Sequence, residues 1–129
     1  MVKKIFTFRG KTIEELSAMS VEDFAELCTS MPKRSLKKGI DKHLMKKVAR
    51  AKGNVKAKPI RTHKRDFVVI PEMVGVTFAI HRGNTFERVD VTEKMLGHYI
   101  GEFVFTRKRL SHGKAGIGAT KSSTAITAR

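Results

Sequence analysis

The residues best suited to chemistry are cations, and they are concentrated in one stretch of the chain. Residues 33–65 contain fourteen Lys and Arg against a single acid, Asp41, for a net charge of +13. Lys and Arg bind phosphate oxygens, whereas a surface that meets only water normally mixes acids among its bases. The stretch therefore predicts a surface that binds a polyanion, with nucleic acid favoured over an anionic membrane.

The end of this stretch, Arg61-Thr62-His63-Lys64-Arg65, is predicted to make its most specific contacts. Guanidinium and imidazole groups are planar, so Arg61, His63 and Arg65 can stack on bases or bind phosphate as a fork, which Lys cannot do. A purely structural role for His63 is an equal alternative. Because Arg65 lies just before a predicted strand, we expect Arg65→Ala to weaken RNA binding and leave the fold intact.

A second basic stretch closes the chain, where residues 107–129 contain six Lys and Arg and no acid, for a net charge of +6. Gly113 and Gly118 have the spacing of a phosphate loop. However, Ala119 stands where such a loop requires Lys, and no helix pattern follows. We interpret residues 111–129 as a flexible basic tail rich in Gly, Ser and Thr.

Other function classes find little support in the composition. Five dispersed His residues and one Cys form no zinc pattern and no internal disulfide, so we expect no metal or cofactor. We find no nucleophile elbow and no paired carboxylates, since a helix start and local hydrogen bonding explain Glu93 and Glu102. The longest uncharged run, Met73 to His81, has nine residues, against roughly 20 for a membrane span. We expect a cytoplasmic protein that is not an enzyme.

The first 32 residues form the first of three predicted segments. Alternating residues indicate a short strand over Lys4–Arg9, which Gly10 ends. Two short helices follow, each announced by the spacing of a capping box, at Thr12 with Glu15 and at Ser20 with Asp23. Pro32 is predicted to close this N-terminal extension, and Cys28 is predicted to be a small buried hydrophobe.

Residues 33–110 are predicted to form an α+β core that contains the first basic stretch, and residues 111–129 the tail. A helix is expected over Ile40–Lys52, with a packed apolar face opposite a cationic one. Strands are expected at Phe67–Ile70, Val76–His81 and Phe86–Val91, with a Gly83-Asn84 hairpin turn and Phe78, Phe86, Phe103 and Phe105 in the core. Single helical turns are expected at Pro71–Gly75 and Thr92–Gly97, each ended by glycine. The fold class is α+β, a small, mostly antiparallel three-stranded sheet packed against one main helix.

Several motifs, in order along the chain, resemble one family. They are Arg34–Gly39, Arg61–Asp66, Pro71–Gly75, Met95–Phe103 and His112–Thr120. The chain resembles the small-subunit ribosomal protein S-nineteen (S19) family in its archaeal and eukaryotic form, called S-fifteen in eukaryotes, over nearly its whole length. The N-terminal extension is absent from bacterial members, and Arg82 stands before Gly83 where the family usually has Asn.

The resemblance implies a structural protein in the head of the small ribosomal subunit, with no enzymatic activity. It implies binding to the 3′ major domain of the small-subunit rRNA beside ribosomal protein S-thirteen (S13), with the tail directed toward the A-site tRNA. A general nucleic-acid chaperone is the alternative that composition alone also allows. The predicted rRNA-binding residues are Lys33, Arg34, Lys37, Lys38, Lys42, Lys46, Lys47, Arg50, Lys58, Arg61, Thr62, His63, Lys64, Arg65, His98, Arg107, Lys108, Arg109, His112, Lys114 and Lys121.

Overall fold

The computed structural model describes residues 6–54 and 58–110. This part of the chain confirms the α+β class, with helices first and a sheet after them. The helices are α1 (Ile13–Ala18), α2 (Val21–Leu27), α3 (Ser30–Lys37) and α4 (Lys42–Lys52). The strands are β1 (Ile60–Thr62), β2 (Thr77–His81) and β3 (Phe86–Asp90), and short 3-10 helices cover Pro71–Met73, Glu93–Met95 and Ile100–Phe103. Within these ranges, no helix combines the length and the apolar character needed to cross a membrane.

The first two helices begin where their caps predict. The Glu15 N–H donates to the Thr12 hydroxyl, and the Thr12 N–H donates to the Glu15 carboxylate at 3.0 Å, which completes a capping box. At the second cap the Asp23 N–H donates to Ser20, but the Ser20 hydroxyl itself donates to the Asp23 carboxylate at 2.7 Å. The shorter Asp side chain therefore binds the hydroxyl where Glu15 binds the backbone.

Two expectations for the N-terminal segment are wrong. The strand predicted over Lys4–Arg9 is not formed at residues 6–9, which are the part of it that the structure describes. Phe8 instead forms an isolated bridge with Lys11, because Arg9 and Gly10 reverse the chain with φ values of 52° and 84°. A third helix, α3, runs through Pro32. Pro32 occupies the third helical position, where a backbone N–H has no partner within the helix, so its ring does not interrupt the helix.

Helix α4 confirms the prediction of one main helix, with its first helical residue at Lys42. Asp41 caps it by accepting the His43 N–H at 2.9 Å. Leu44 and Val48 are buried in a core shared with the sheet, and Lys46 is exposed on the opposite side. The helix thus presents its cations to solvent while its apolar face stabilises the sheet.

The sheet is mixed, and one of its three strands differs from the predicted set. The strand order is β1-β2-β3, with β1 parallel and β3 antiparallel to the central β2. The prediction missed β1, and the strand that it placed at Phe67–Ile70 is wrong. In that segment the Val69 N–H donates to the His98 carbonyl, and the Gly97 N–H donates to the Val69 carbonyl. Val68, Val69 and Ile70 are buried in the core, but their segment forms its backbone hydrogen bonds with residues 97–100 and does not join the sheet.

The predicted turns are close to those observed. The single helical turns are present, and Gly75 and Gly97 follow them with φ values of 82° and 75°. The β2–β3 hairpin closes through Arg82, whose N–H donates to the Thr85 carbonyl at 2.9 Å. Gly83 alone takes a positive φ in this turn, at 113°, so Arg82 fits where the family usually has Asn.

The predicted core aromatics are only partly buried. Phe78 is fully buried, and Phe86 and Phe103 are half-buried. Phe105 is 79% exposed, so its assignment to the core is wrong: it follows Val104, where the segment leaves the core. Cys28 packs against the core at half-burial, and this burial raises the pKa of its thiol.

Candidate nucleic-acid interface

The cationic face of α4 continues onto the sheet. Lys42, Lys46, Lys47 and Arg50 are exposed along the helix. Lys47 and Arg50 line a shallow groove whose opposite wall contains Lys58 and Arg61. No acidic side chain lines this groove within the described part of the chain. We call the four cations of this groove, together with the exposed Lys42 and Lys46 of α4 that lie outside its lining, the basic groove.

Strand β1 brings Arg61 to this position. Ile60 pairs with Phe78, and Thr62 pairs with Ile80, and both β1 side chains are buried on the α4 side of the sheet. Because strand residues alternate between faces, Arg61 lies on the outer face, which is the side away from the core. Arg61 therefore borders both the basic groove and the outer face.

Aromatic rings lie beside Arg61 on the outer face. The Arg61 guanidinium carbon is 5.2 Å from the centre of the Phe86 ring. The His63 ring lies 4.4 Å from the His81 ring and 5.1 Å, edge to face, from the Phe86 ring. His81 and Phe86 also face each other as the last pair of the β2–β3 hairpin. We call His63, His81 and Phe86 the aromatic cluster.

Lys64 is tied to the start of α4. Its ammonium bonds to the Asp41 carboxylate at 2.5 Å. The Lys64 ammonium holds the pKa of Asp41 below its ordinary value, and the Asp41 carboxylate raises the pKa of Lys64. Asp41, the one acid in residues 33–65, therefore caps α4 and orients a neighbouring cation.

Arg65 has a structural environment that the sequence did not predict. Its guanidinium donates to the carbonyl of His81 at 2.7 Å and to the carbonyls of Gly101 and Val104 at 2.6 Å each. These three bonds connect β2 to the last 3-10 helix and to Val104, the residue that follows it. Contrary to the expectation from the sequence, these contacts predict that Arg65→Ala destabilises the fold, because the lost side chain would leave three carbonyls without this donor.

The cations of α3 and of its C-cap residue, Lys38, divide into two pairs. Lys33 and Lys37 both form ion pairs with Glu26 of α2, the second at 3.0 Å, and together they lower the pKa of Glu26. Arg34 and Lys38 are exposed. The Glu26 carboxylate thus offsets part of the positive charge that Lys33 and Lys37 would present to a polyanion, and it does not do so for Arg34 and Lys38.

The remaining predicted residues lie elsewhere. Thr62 is buried and accepts the Lys64 N–H. His98 bonds to the Glu102 carboxylate at 2.9 Å and lines a different groove, with Arg9 and Met31. The Tyr99 N–H also donates to Glu102, which confirms the local hydrogen bonding expected for this acid. Arg107, Lys108 and Arg109 are exposed, and His112, Lys114 and Lys121 lie outside the described residues.

Sequence reasoning missed three residues of the outer face. His81 and Arg88 were not singled out, and Phe86 was assigned to the core. Arg88 pairs with Ala79, which in turn pairs with Arg61, so the two arginines flank one small residue. The hairpin pattern contained a signal for His81 and Phe86, since two strands joined at Gly83-Asn84 bring these residues opposite each other.

Comparison with known proteins identifies the family. The family model described as Ribosomal protein S19 matches residues 34–112. Two proteins named small ribosomal subunit protein uS19, from the R1 and NRC-1 strains of Halobacterium salinarum, are each 48% identical to the chain over 122 residues. The matches cover 92% of this chain and 87% of each relative. The chain therefore belongs to the ribosomal protein S19 family, whose members are structural proteins of the ribosome and not enzymes.

Proposed function

We propose that this protein binds the 3′ major domain of the small-subunit rRNA, in the head of the subunit, through the basic groove. The observation that carries the proposal is the acid-free groove in which Lys47 and Arg50 of α4 meet Lys58 and Arg61. Family membership supports a role as a structural component of the small ribosomal subunit, acting in translation in the cytoplasm.

The geometry of the groove suits a phosphate backbone better than a small ligand. Its cations come from α4, from β1 and from Lys58 just before β1, and they lie on an open surface, so several phosphates of one strand can be neutralised together. Such contacts position the RNA without reading its sequence. The fixed relation between α4 and β1, which share one core, supports docking at a defined site.

We also propose the finer family role for the rest of the chain. Ribosomal protein S13 is the proposed protein neighbour, and the tail at residues 111–129 is proposed to extend toward the A-site tRNA. The support is the resemblance of His112–Thr120 to the family and the six basic residues without an acid in residues 107–129. The division into an extension, an rRNA-binding core and a tail remains part of this proposal.

The test compares two charge-neutralising variants of the full chain. Lys47→Gln removes a groove cation, and Lys94→Gln removes an exposed cation on the 3-10 helix Glu93–Met95. Binding to a folded fragment of the 3′ major domain should weaken roughly threefold to tenfold for Lys47→Gln and should stay near the natural value for Lys94→Gln. Equal losses in the two variants would contradict a binding site at the groove.

Competition with duplex DNA separates this function from a general nucleic-acid chaperone. We expect the rRNA fragment to be bound in preference to a DNA duplex of equal phosphate content, because a defined site recognises the shape of the RNA. Equal binding to both competitors would favour the chaperone.

A further inference from the structure

The aromatic cluster is an unusual feature for a surface that binds only phosphates. His63 and Arg61 are exposed, and His81 and Phe86 are half-buried beneath them. Ala79, between Arg61 and Arg88 in the sheet register, is small and only 5% exposed, so these longer side chains cover it. The outer face therefore presents planar groups above a small residue.

These planar groups have the chemistry of a base-stacking site. Unpaired nucleobases stack on aromatic rings and on guanidinium planes, and each stacked base strengthens binding whatever its identity. The His63 ring is supported by His81 at 4.4 Å and by Phe86 at 5.1 Å, so it is held in place before any ligand arrives. A platform held in this way loses little conformational entropy on binding.

The charges around the cluster favour a nucleotide over an apolar peptide. Arg61 and Arg88 stand on either side of Ala79, and Lys58 of the basic groove is nearby in sequence and in the groove wall. The acids of β3 have partners, since Asp90 accepts the Thr77 hydroxyl at 2.6 Å and Glu87 pairs with Arg82 at 3.3 Å. Because Arg61 borders both surfaces, a strand with phosphates in the groove can place a base on the cluster.

We propose that the outer face of the sheet binds one unpaired nucleobase of RNA, stacked on His63 and Arg61, while the basic groove holds the adjacent phosphates. This inference rests on the proposed function and adds to it a contact with unpaired RNA.

The experiment uses the full chain and two single-stranded probes. One is a uridine dodecamer, and the other is an abasic ribose-phosphate dodecamer with the same phosphates and no bases. The uridine probe should bind roughly 5- to 150-fold more tightly, as expected for one stacked base. His63→Ala should remove most of this advantage, His63→Phe should retain it, and Lys47→Gln should weaken binding of both probes by the same factor.

The possible outcomes separate the two proposals. Equal binding of both probes by the natural protein overturns the stacking site and leaves phosphate binding in place, and it would point to a protein as the occupant of the outer face. Loss of the advantage in His63→Phe as well as His63→Ala also overturns stacking. Failure to bind either probe or the folded rRNA fragment at low salt overturns the proposed function itself. If His63→Ala proves unstable, Arg61→Lys takes its place in the comparison of the two probes. This substitution keeps the positive charge and removes the planar guanidinium group.

Discussion

Arg61 and Arg65 are identical residues four positions apart with opposite environments. Arg61 is exposed over Phe86, whereas Arg65 donates to three backbone carbonyls. The sequence around them could not distinguish these roles, because the carbonyls belong to His81, Gly101 and Val104, which only the fold brings near. A run of cations thus predicts a basic surface, but it does not predict which of the cations forms hydrogen bonds within the protein.

Replacing Arg65 should destabilise the protein far more than replacing Arg61. We expect Arg65→Ala to lower the free energy of unfolding by about 2–4 kcal/mol, since charged hydrogen bonds to three carbonyls are lost together. Arg61→Ala should change it by about 0.5 kcal/mol or less, because its side chain is exposed. Urea denaturation of both variants measures the difference, and equal losses of stability would contradict a structural role for Arg65.

At the scale of elements, the most accurate predictions were those that rested on local sequence signals. The caps at Thr12 and Ser20 and the glycines Gly75 and Gly97 lie within a few residues of the structure that they determine. Hydrogen bonds over such short separations depend little on the rest of the fold, so sequence spacing is sufficient to find them.

Elements defined by distant partners were not predictable in the same way. β1 has three residues, and it becomes a strand only through its parallel pairing with β2 residues that lie eighteen positions farther along the chain. Phe67–Ile70 has a stronger apolar pattern, yet it forms only an isolated bridge between Val68 and Tyr99. An apolar run of this length indicates that the segment is buried, but it does not indicate which other segment its backbone pairs with.

The Asp41–Lys64 pair, which joins α4 to the segment after β1, should make stability depend on pH. Because the folded pKa of Asp41 is depressed, its contribution is present above the ordinary pKa and is lost as the pH falls through the folded value. Asp41→Asn keeps an acceptor for the cap and removes the charge. We expect this variant to be less stable than the natural protein near neutral pH, with the gap closing between about pH 5 and pH 2.

Thermal melting across this pH range measures the gap. Glu72→Gln, which removes an exposed carboxylate outside the pair, is the matched control and should show a smaller dependence. A gap for Asp41→Asn that stays constant down to pH 2 would mean that the ion pair contributes nothing to the fold.

At the scale of the whole molecule, charge is divided between surfaces. Residues 1–32 carry a net charge of −1 and residues 66–106 carry −3, whereas residues 33–65 carry +13. The sequence showed this division, but the distance between Lys47 and Lys58 along the chain did not show that the two line one groove. That proximity follows from packing α4 against β1.

Binding to rRNA should weaken steeply with salt. The basic groove contains six cations, and if each neutralises one phosphate, affinity should fall roughly a thousandfold between 50 and 200 mM salt. Filter binding or fluorescence titration over this range gives the slope. A flat response would contradict binding through phosphate contacts, and a much steeper one would indicate that residues outside the groove, such as those at 107–129, also contribute.

The packing of Arg65 against Gly101 also restricts which residue position 101 can accept. A Cβ atom at Gly101 would lie 2.8 Å from both the Cβ and the carbonyl oxygen of Arg65, closer than carbon atoms in proteins approach. Because φ at Gly101 is not positive, the demand for glycine is purely one of space. Glycine is therefore required at position 101 by the close packing of its backbone against residue 65, whatever side chain that residue carries.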